Sequence, residues 1–175
     1  MAWRVREAAR EDSAGAAEVV RLVFAEYAFT WEPGGYHADL LDLEGHYLKK
    51  GHRFWVAEDD AGTIVGTGGL ELFPLIQGAL GTLTAAVPPR VAGTDCSLAR
   101  LYVRPDARRR GVGAGLFEQT LAEARSLGRR AMEIWSDKAF SDAHRLYERY
   151  GATVVGDRIS TDPDSAPEWG LILRL

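Results

Sequence analysis

Three arginines followed by three glycines at alternate positions lie in the stretch ARRRGVGAGLF, residues 107–117. The preceding run CSLARLYV predicts a strand that ends before Pro105, and an apolar helical pattern begins inside the glycines. The first turn of a helix leaves backbone N–H groups unpaired and carries positive potential, and glycine has no Cβ to keep an anion away. The stretch therefore indicates a phosphate-bearing ligand. A solvated basic turn, with glycines that only allow close helix packing, is the alternative.

Two common phosphate motifs fit this stretch poorly. A P-loop requires Lys and Ser or Thr directly after its last glycine, but Gly115 is followed by Leu116 and Phe117. A dinucleotide fingerprint requires G-x-G-x-x-G at the first strand–helix turn and an acid about twenty residues on. Here the spacing is G-x-G-x-G, the turn comes late in the chain, and Glu133 lies inside the next predicted strand. The first motif is excluded and the second is weak.

The chain as a whole is acidic, so its basic character is local. It has 175 residues, which suit one domain covering 1–175, and a formal net charge of −4. This balance does not indicate nucleic-acid binding and favours a small anionic ligand over a polyanion. We expect no metal site, because the four histidines and Cys96 show no metal-ligand spacing. Cys96 is expected to be a buried small hydrophobe rather than a nucleophile.

The N-terminus and the apolar runs suggest a cytoplasmic protein. The first ten residues are already charged and have no apolar signal core, and no run of 18 apolar residues is present. We therefore expect neither a membrane span nor a secretory signal.

The apolar periodicity predicts a mixed α/β domain. The predicted strands are 3–8, 54–57, 63–72, 96–103, 131–135, 153–157 and 169–175. The predicted helices are one capped by Ser13 that runs to Tyr27, then 38–50, 112–127 and 140–150. The segment 74–95, with three prolines and three glycines, predicts a long loop.

Two motifs resemble the GCN5-related N-acetyltransferase (GNAT) family. Arg108, Gly111 and Gly113 are similar to its R-x-x-G-x-G loop for the pyrophosphate of acyl-coenzyme A (CoA), and the preceding L-Y-V-R-P is similar to the end of its fourth strand. Residues 143–152, AHRLYERYGA, are similar to its A-x-x-L-Y-x-x-x-G-F helix. The resemblance is strong over 96–156, loose over 3–72 and slight over 74–95. It implies the acyl-CoA N-acyltransferase fold, a mixed α/β fold with a splayed central sheet flanked by helices.

The resemblance implies acetyl-CoA as the cofactor, wedged between two splayed parallel strands. Its pantetheine arm would pair with the backbone of the fourth strand, and its pyrophosphate would lie on backbone N–H groups after Arg108. The cofactor-binding residues implied in this way are Leu101, Tyr102, Val103, Arg108, Arg109, Arg110, Gly111, Val112, Gly113 and Ala114.

The implied reaction is direct attack of an amine on the thioester. Tyr147 matches the family tyrosine that protonates the departing thiolate, although it would also fill a core, and the Val103 N–H is a candidate for polarising the thioester oxygen. Many family members carry a glutamate near the start of the fourth strand, but here residues 95–98 read DCSL. We prefer Glu71 as the replacement base. An exposed strand carboxylate without a role, or a water chain as the base, fits as well.

An aromatic cluster surrounds the turn at 33–35 and suggests where the amine binds. Its members are Tyr27, Phe29, Trp31, Tyr36 and His37. Four of them, Tyr27, Trp31, Tyr36 and His37, are our candidates for substrate binding. The cluster fits either a flat wall for a small amine or a satellite core under the turn, and His37 taken alone is expected at the surface.

Two functions remain open at this point. The first is an acetyl-CoA-dependent N-acetyltransferase that acts on a primary amine of a small molecule or a peptide N-terminus. The second is a non-catalytic acyl-CoA sensor or interaction module on the same fold. Pairing of the final strand, 171–175, across a twofold axis would give a homodimer.

Overall fold

The computed structural model describes residues 2–175, and within them seven strands form one sheet in the order β1-β2-β3-β4-β5-β7-β6. The strands are β1 (Trp3–Glu7), β2 (Arg53–Asp59), β3 (Ile64–Leu72), β4 (Cys96–Val103), β5 (Ala131–Asp137), β6 (Thr153–Ile159) and β7 (Pro167–Arg174). The helices are α1 (Ser13–Glu26), α2 (Ala38–Leu41), α3 (Leu43–His46), α4 (Val112–Ser126) and α5 (Ser141–Arg149). Short 3₁₀ turns occupy Arg10–Asp12, Leu48–Lys50 and Pro105–Ala107. The predicted mixed α/β class is confirmed.

The chain forms two compact units, and β4 and α4 each contribute to both. The first unit contains the chain up to Glu71 together with Ala99–Ala122, and the second contains Leu72–Leu98 and Glu123–Leu175. Each unit holds different residues of the candidate site.

The core of the first unit joins the apolar face of α1 to Phe54 and Val56 of β2. Its buried residues are Ala8, Ala16, Ala17, Val20, Phe24, Leu40, Leu43, Tyr47, Phe54 and Val56. The α1 members recur at helical spacing, which is why the periodicity predicted this helix. β1 and β2 pair antiparallel, with Trp3 opposite Asp59, and β2 and β3 form the predicted hairpin.

The predicted single helix over 38–50 is wrong, because the chain breaks it at Asp42. Asp42 leaves the helical region, with φ −144° and ψ 71°, and its carboxylate accepts a hydrogen bond from Gly45 N at 2.9 Å. The side chain thus caps a new turn instead of continuing α2. Gly51, in the left-handed region with φ 80°, ends the segment as predicted.

Two further predictions are corrected by a hydrogen bond and by the sheet order. Ser13 is the first residue of α1 rather than its cap: Asp12 is the N-cap, and the Ser13 hydroxyl donates to the Arg10 carbonyl. The final strand, β7, pairs with β5 on one side and with β6 on the other. Both edges of β7 are therefore already hydrogen-bonded to neighbouring strands of the same chain. The predicted pairing of this strand across a twofold axis is wrong.

In the second unit, the loop over 74–95 is irregular, as predicted, yet held by specific bonds. Within the described chain it contributes to no named strand or helix, but Leu83 and Val91 form an isolated bridge. The carboxylate of Glu133, on β5, accepts hydrogen bonds from Arg90 Nε at 2.6 Å and from Val91 N at 2.8 Å. Cys96 is fully buried, as predicted, and its burial raises the pKa of the thiol to about 12.

Candidate functional site

The arginine–glycine loop leaves β4 at Val103 and enters α4 at Val112. Gly111 has φ 80°, in the left-handed region that favours glycine, and Arg109 lies there too, with φ 60°. Gly115 N donates to the Gly111 carbonyl at 2.9 Å, which is the first bond of the helix ladder. The three N–H groups before it, at 112–114, are therefore the ones that a helix start leaves for an anion.

The third glycine of the loop serves packing. A Cβ on Gly115 would lie 2.5 Å from the indole ring of Trp3, on β1. The same indole donates through Nε1 to the Arg110 carbonyl at 2.9 Å. Trp3 therefore holds the loop from the first strand, and for Gly115 the packing alternative is correct.

The first arginine of the loop is paired with a carboxylate. Arg108 donates through its two terminal nitrogens to the carboxylate oxygens of Glu26 at 2.9 Å and 2.6 Å. Its Nε also donates to the Val103 carbonyl at 3.3 Å. Arg109 and Arg110 are exposed. The sequence did not indicate Glu26, which lies 82 residues away in α1.

The backbone of the strand that precedes the loop is distorted at Arg100. Its φ of 50° is left-handed, and its carbonyl accepts a hydrogen bond from the Thr67 hydroxyl of β3 at 2.7 Å. Leu101, Tyr102 and Val103 follow the irregularity and are half-buried. The backbone proposed to face the pantetheine arm thus starts directly after a break in strand geometry.

The side chain of Arg100 is the centre of a buried polar network. It donates to both carboxylate oxygens of Asp39 at 2.9 Å and 2.8 Å and to the Tyr36 carbonyl at 2.6 Å, and its guanidinium lies 4.6 Å from the Tyr36 ring centroid. The Tyr47 hydroxyl donates to Asp39 as well, at 2.7 Å. Burial favours the neutral forms, but Asp39 outweighs it at Arg100 and holds that pKa above its ordinary value.

Glu71, the preferred general base, lies in the first unit, and its charge acts on Tyr47 of this network. It is half-buried near the end of β3. Burial chiefly raises the pKa of the Tyr47 phenol, and the charges of Asp39 and Glu71 add to that effect. Glu71 is therefore electrostatically coupled to the Arg100–Asp39–Tyr47 network.

His37 is fully buried, so its expected surface position is wrong. Its ring lies 4.3 Å from that of Trp31 in a stack, and 4.5 Å from Phe24 and 4.9 Å from Tyr36 edge-on. Its Nδ1 accepts from Glu32 N at 3.1 Å. Burial, with the charge of Arg100, lowers the pKa of the imidazole to about 4, so the ring is neutral at pH 7.

The rest of the aromatic cluster is half-buried. Tyr27 stacks on Phe29 with 5.8 Å between ring centroids, and Phe29, Trp31 and Tyr36 pack against the core of the first unit. His37 therefore fits the alternative in which the cluster is a satellite core under the turn. Tyr27, Trp31 and Tyr36 keep exposed surface.

Tyr147 lies in the second unit, on α5, whereas the other candidate residues lie in the first. Its side chain is 4% exposed, and burial raises the pKa of the phenol above its ordinary value. The hydroxyl is thus protonated at neutral pH. Burial fits both a core residue and a desolvated proton donor.

Residues 2–175 offer neither a metal site nor a membrane-spanning helix. No group of three or more His, Cys, Asp or Glu side chains in this part of the chain is arranged to hold a metal ion. None of the helices described there is long and apolar enough to cross a membrane.

Comparison with known proteins identifies the family. The model described as "Acetyltransferase (GNAT) family" matches residues 16–152. YjgM of Escherichia coli (strain K12), an uncharacterized N-acetyltransferase, is 29% identical over 150 residues, which cover 84% of this chain and 80% of that protein.

Solved structures share the fold at low identity. An acetyltransferase of the GNAT family from Staphylococcus aureus Mu50 has a TM-score of 0.76 and 18% identity, with 99% of each chain covered. A GNAT superfamily phosphinothricin acetyltransferase from Sinorhizobium meliloti, solved in complex with acetyl-CoA, has a TM-score of 0.73 and 19% identity, covering 100% of this chain and 89% of its own.

Proposed function

Because the chain belongs to the acetyltransferase (GNAT) family, we propose that it transfers an acetyl group from acetyl-CoA to a primary amine of a small molecule or a peptide N-terminus. The observation that carries the proposal is the loop before α4, where left-handed Gly111 precedes the first N–H groups of the helix. The phosphinothricin acetyltransferase that shares the fold was solved with acetyl-CoA, which supports the choice of cofactor.

The residues of the loop fit a pyrophosphate. Gly111 is exposed and its missing Cβ leaves the approach to the helix N-terminus open. The N–H groups at 112–114 would donate to phosphate oxygens, and Arg108, Arg109 and Arg110 would contribute positive potential. The backbone of Leu101, Tyr102 and Val103 would pair with the pantetheine arm. Bound acetyl-CoA would supply the thioester that the amine attacks.

Tyr147 would donate the proton that the departing thiolate needs. Its burial keeps the phenol protonated at neutral pH, so the hydroxyl has a proton to donate. Glu71, half-buried in the first unit, would take the proton of the amine, directly or through water. The Val103 N–H would polarise the thioester oxygen.

The amine would bind against the half-buried aromatic rings of Tyr27, Trp31 and Tyr36. His37 is neutral and buried beneath Trp31 and Tyr36, so its part in substrate binding would be to support those rings. The net charge of −4 supports a small-molecule or peptide acceptor rather than a nucleic acid.

The proposal is tested by CoA release over a panel of amines, with acetyl-CoA binding measured in parallel by calorimetry. The panel contains amino acids, polyamines, short peptides with free N-termini and phosphinothricin. Release that depends on one of these amines, with a matching N-acetylated product, supports an enzyme. Binding of acetyl-CoA without amine-dependent release would support the sensor or interaction module instead, and no binding would overturn the cofactor assignment.

A further inference from the structure

We propose that His144 is a positioning residue that orients Tyr147 on α5 through a hydrogen bond to Ser136 of β5, an inference that rests on the proposed function. The Nε2 atom of His144 lies 3.1 Å from the Ser136 hydroxyl oxygen. Ser136 is buried, with 7% of its surface exposed, and His144 is half-buried. The contact joins the helix that carries Tyr147 to a strand of the same unit.

A second hydrogen bond fixes the imidazole ring. His144 also donates to the backbone carbonyl of Asp137, the last residue of β5. The Ser136 hydroxyl donates to Nε2 or accepts from it, according to which ring nitrogen carries the proton. The contacts to Ser136 and to Asp137 hold the ring to β5 at two positions.

The bonded histidine lies on the same helix face as Tyr147. Residues three apart on an α-helix are neighbours, so His144 comes one turn before Tyr147 on the side that faces the core. Leu146 and Tyr147, which follow His144 on the helix, are buried. The hydrogen bonds to Ser136 and Asp137 are directional and set how far α5 is turned and shifted along β5.

Burial keeps the imidazole of His144 in its neutral form. Burial lowers the pKa of the imidazole, while the Asp137 carbonyl and the charges of Glu148 and Asp137 act in the opposite direction. Burial dominates, so the ring is neutral at pH 7. His144 thus acts as a hydrogen-bonding group there, and not as a charge beside the phenol.

A kinetic double-mutant cycle tests the proposal. His144→Leu and Ser136→Ala should each lower kcat about tenfold, because small misplacements of a catalytic group are costly, and leave the Kd of acetyl-CoA unchanged. The double variant should be no slower than either single variant, and His144→Leu should add nothing in a Tyr147→Phe background. His144→Gln, which can both donate and accept, should restore most of kcat. An unchanged kcat in His144→Leu, or losses that add in the Tyr147→Phe background, would overturn it.

A matched control and a second readout separate this inference from the proposed function. Arg145→Leu changes the neighbouring residue, whose side chain is 75% exposed and paired with exposed Asp142, and should leave kcat unchanged. With ¹³C-labelled tyrosine, the Tyr147 ring signal is assigned by its loss in Tyr147→Phe. It should shift in His144→Leu and Ser136→Ala but not in Arg145→Leu. That shift requires no turnover, so an inactive wild type would refute the proposed function alone, and an unmoved signal would refute the positioning role alone.

Discussion

The guanidinium of Arg108 lies 2.9 Å and 2.6 Å from the two carboxylate oxygens of Glu26, so the first arginine of the loop is partly neutralised by α1. Both side chains are about one third exposed or more. An anion at the loop would meet the positive charge of Arg108 and the negative charge of Glu26 together.

Removing that carboxylate should strengthen cofactor binding. We expect Glu26→Gln to tighten the Kd of acetyl-CoA about two- to fivefold at low salt, because Arg108 is freed and a charge that repels phosphate is lost. Calorimetry at two ionic strengths measures the effect, which should shrink at high salt. Glu18→Gln, which breaks the exposed pair with Arg21 on the same helix, is the control and should leave Kd unchanged. Weaker binding by Glu26→Gln would show that the pair positions Arg108 instead.

The left-handed glycine before α4 has a natural comparison in the glycine after it. Gly111 and Gly128 have φ values of 80° and 67°, and a Cβ on either would meet nothing closer than 3.6 Å. Alanine at either position should cost about 1 kcal/mol of unfolding free energy from backbone strain. Only Gly111→Ala should weaken acetyl-CoA binding, by fivefold or more. Equal cofactor affinity in the two variants would remove Gly111 from the phosphate site.

Much of the fold could be predicted because its elements bury one face at a regular spacing. α1, α4, α5 and the hairpin of β2 and β3 follow the periodicity of their apolar residues. The prediction of a helix over 38–50 failed because a single side chain, Asp42, competes with the backbone for hydrogen bonds. The spacing of apolar residues does not reveal such competition.

The candidate site could be predicted only where its residues are close in sequence. The loop and the Leu146-Tyr147 motif were visible for that reason. Arg100 and Asp39 are 61 residues apart, and Trp3 reaches the Arg110 carbonyl across 107 residues. Such partners are set by strand order, which one sequence does not state. For the network of Arg100 and Asp39, the sequence offered one signal. An arginine in the middle of a predicted strand indicates a buried charge, and a buried charge requires a partner.

The buried imidazole of His37 should make stability pH-dependent. Its pKa of about 4 lies below the ordinary 6.5, so the neutral ring stabilises the fold fully above pH 6.5. That contribution is lost as the pH falls from 6.5 through 4, and it amounts to at most about 3 kcal/mol. Urea unfolding of wild type and His37→Phe from pH 7.5 to 4 measures it. The variant should lose less stability over this interval, and parallel curves would contradict the assignment.

Glu133 should be the anchor of the 74–95 loop. Its carboxylate is 1% exposed and bonds both Arg90 and Val91 N. Glu133→Gln should lower the unfolding free energy by about 2 kcal/mol, since the buried Val91 N–H and the half-buried Arg90 guanidinium lose a charged partner, and should speed hydrogen exchange at Val91. Asp142→Asn, which breaks an exposed pair, is the control and should do neither. Unchanged exchange at Val91 would show that other contacts hold the loop.

The most direct test of the account is the turnover of Tyr147→Phe with an accepted amine. The substitution removes one hydroxyl and keeps the buried ring, so the fold and the Kd of acetyl-CoA should be unchanged. We expect kcat for amine-dependent CoA release to fall at least a hundredfold, the range typical of a lost general acid. A kcat within twofold of wild type, with the same Kd, would contradict the catalytic role of Tyr147.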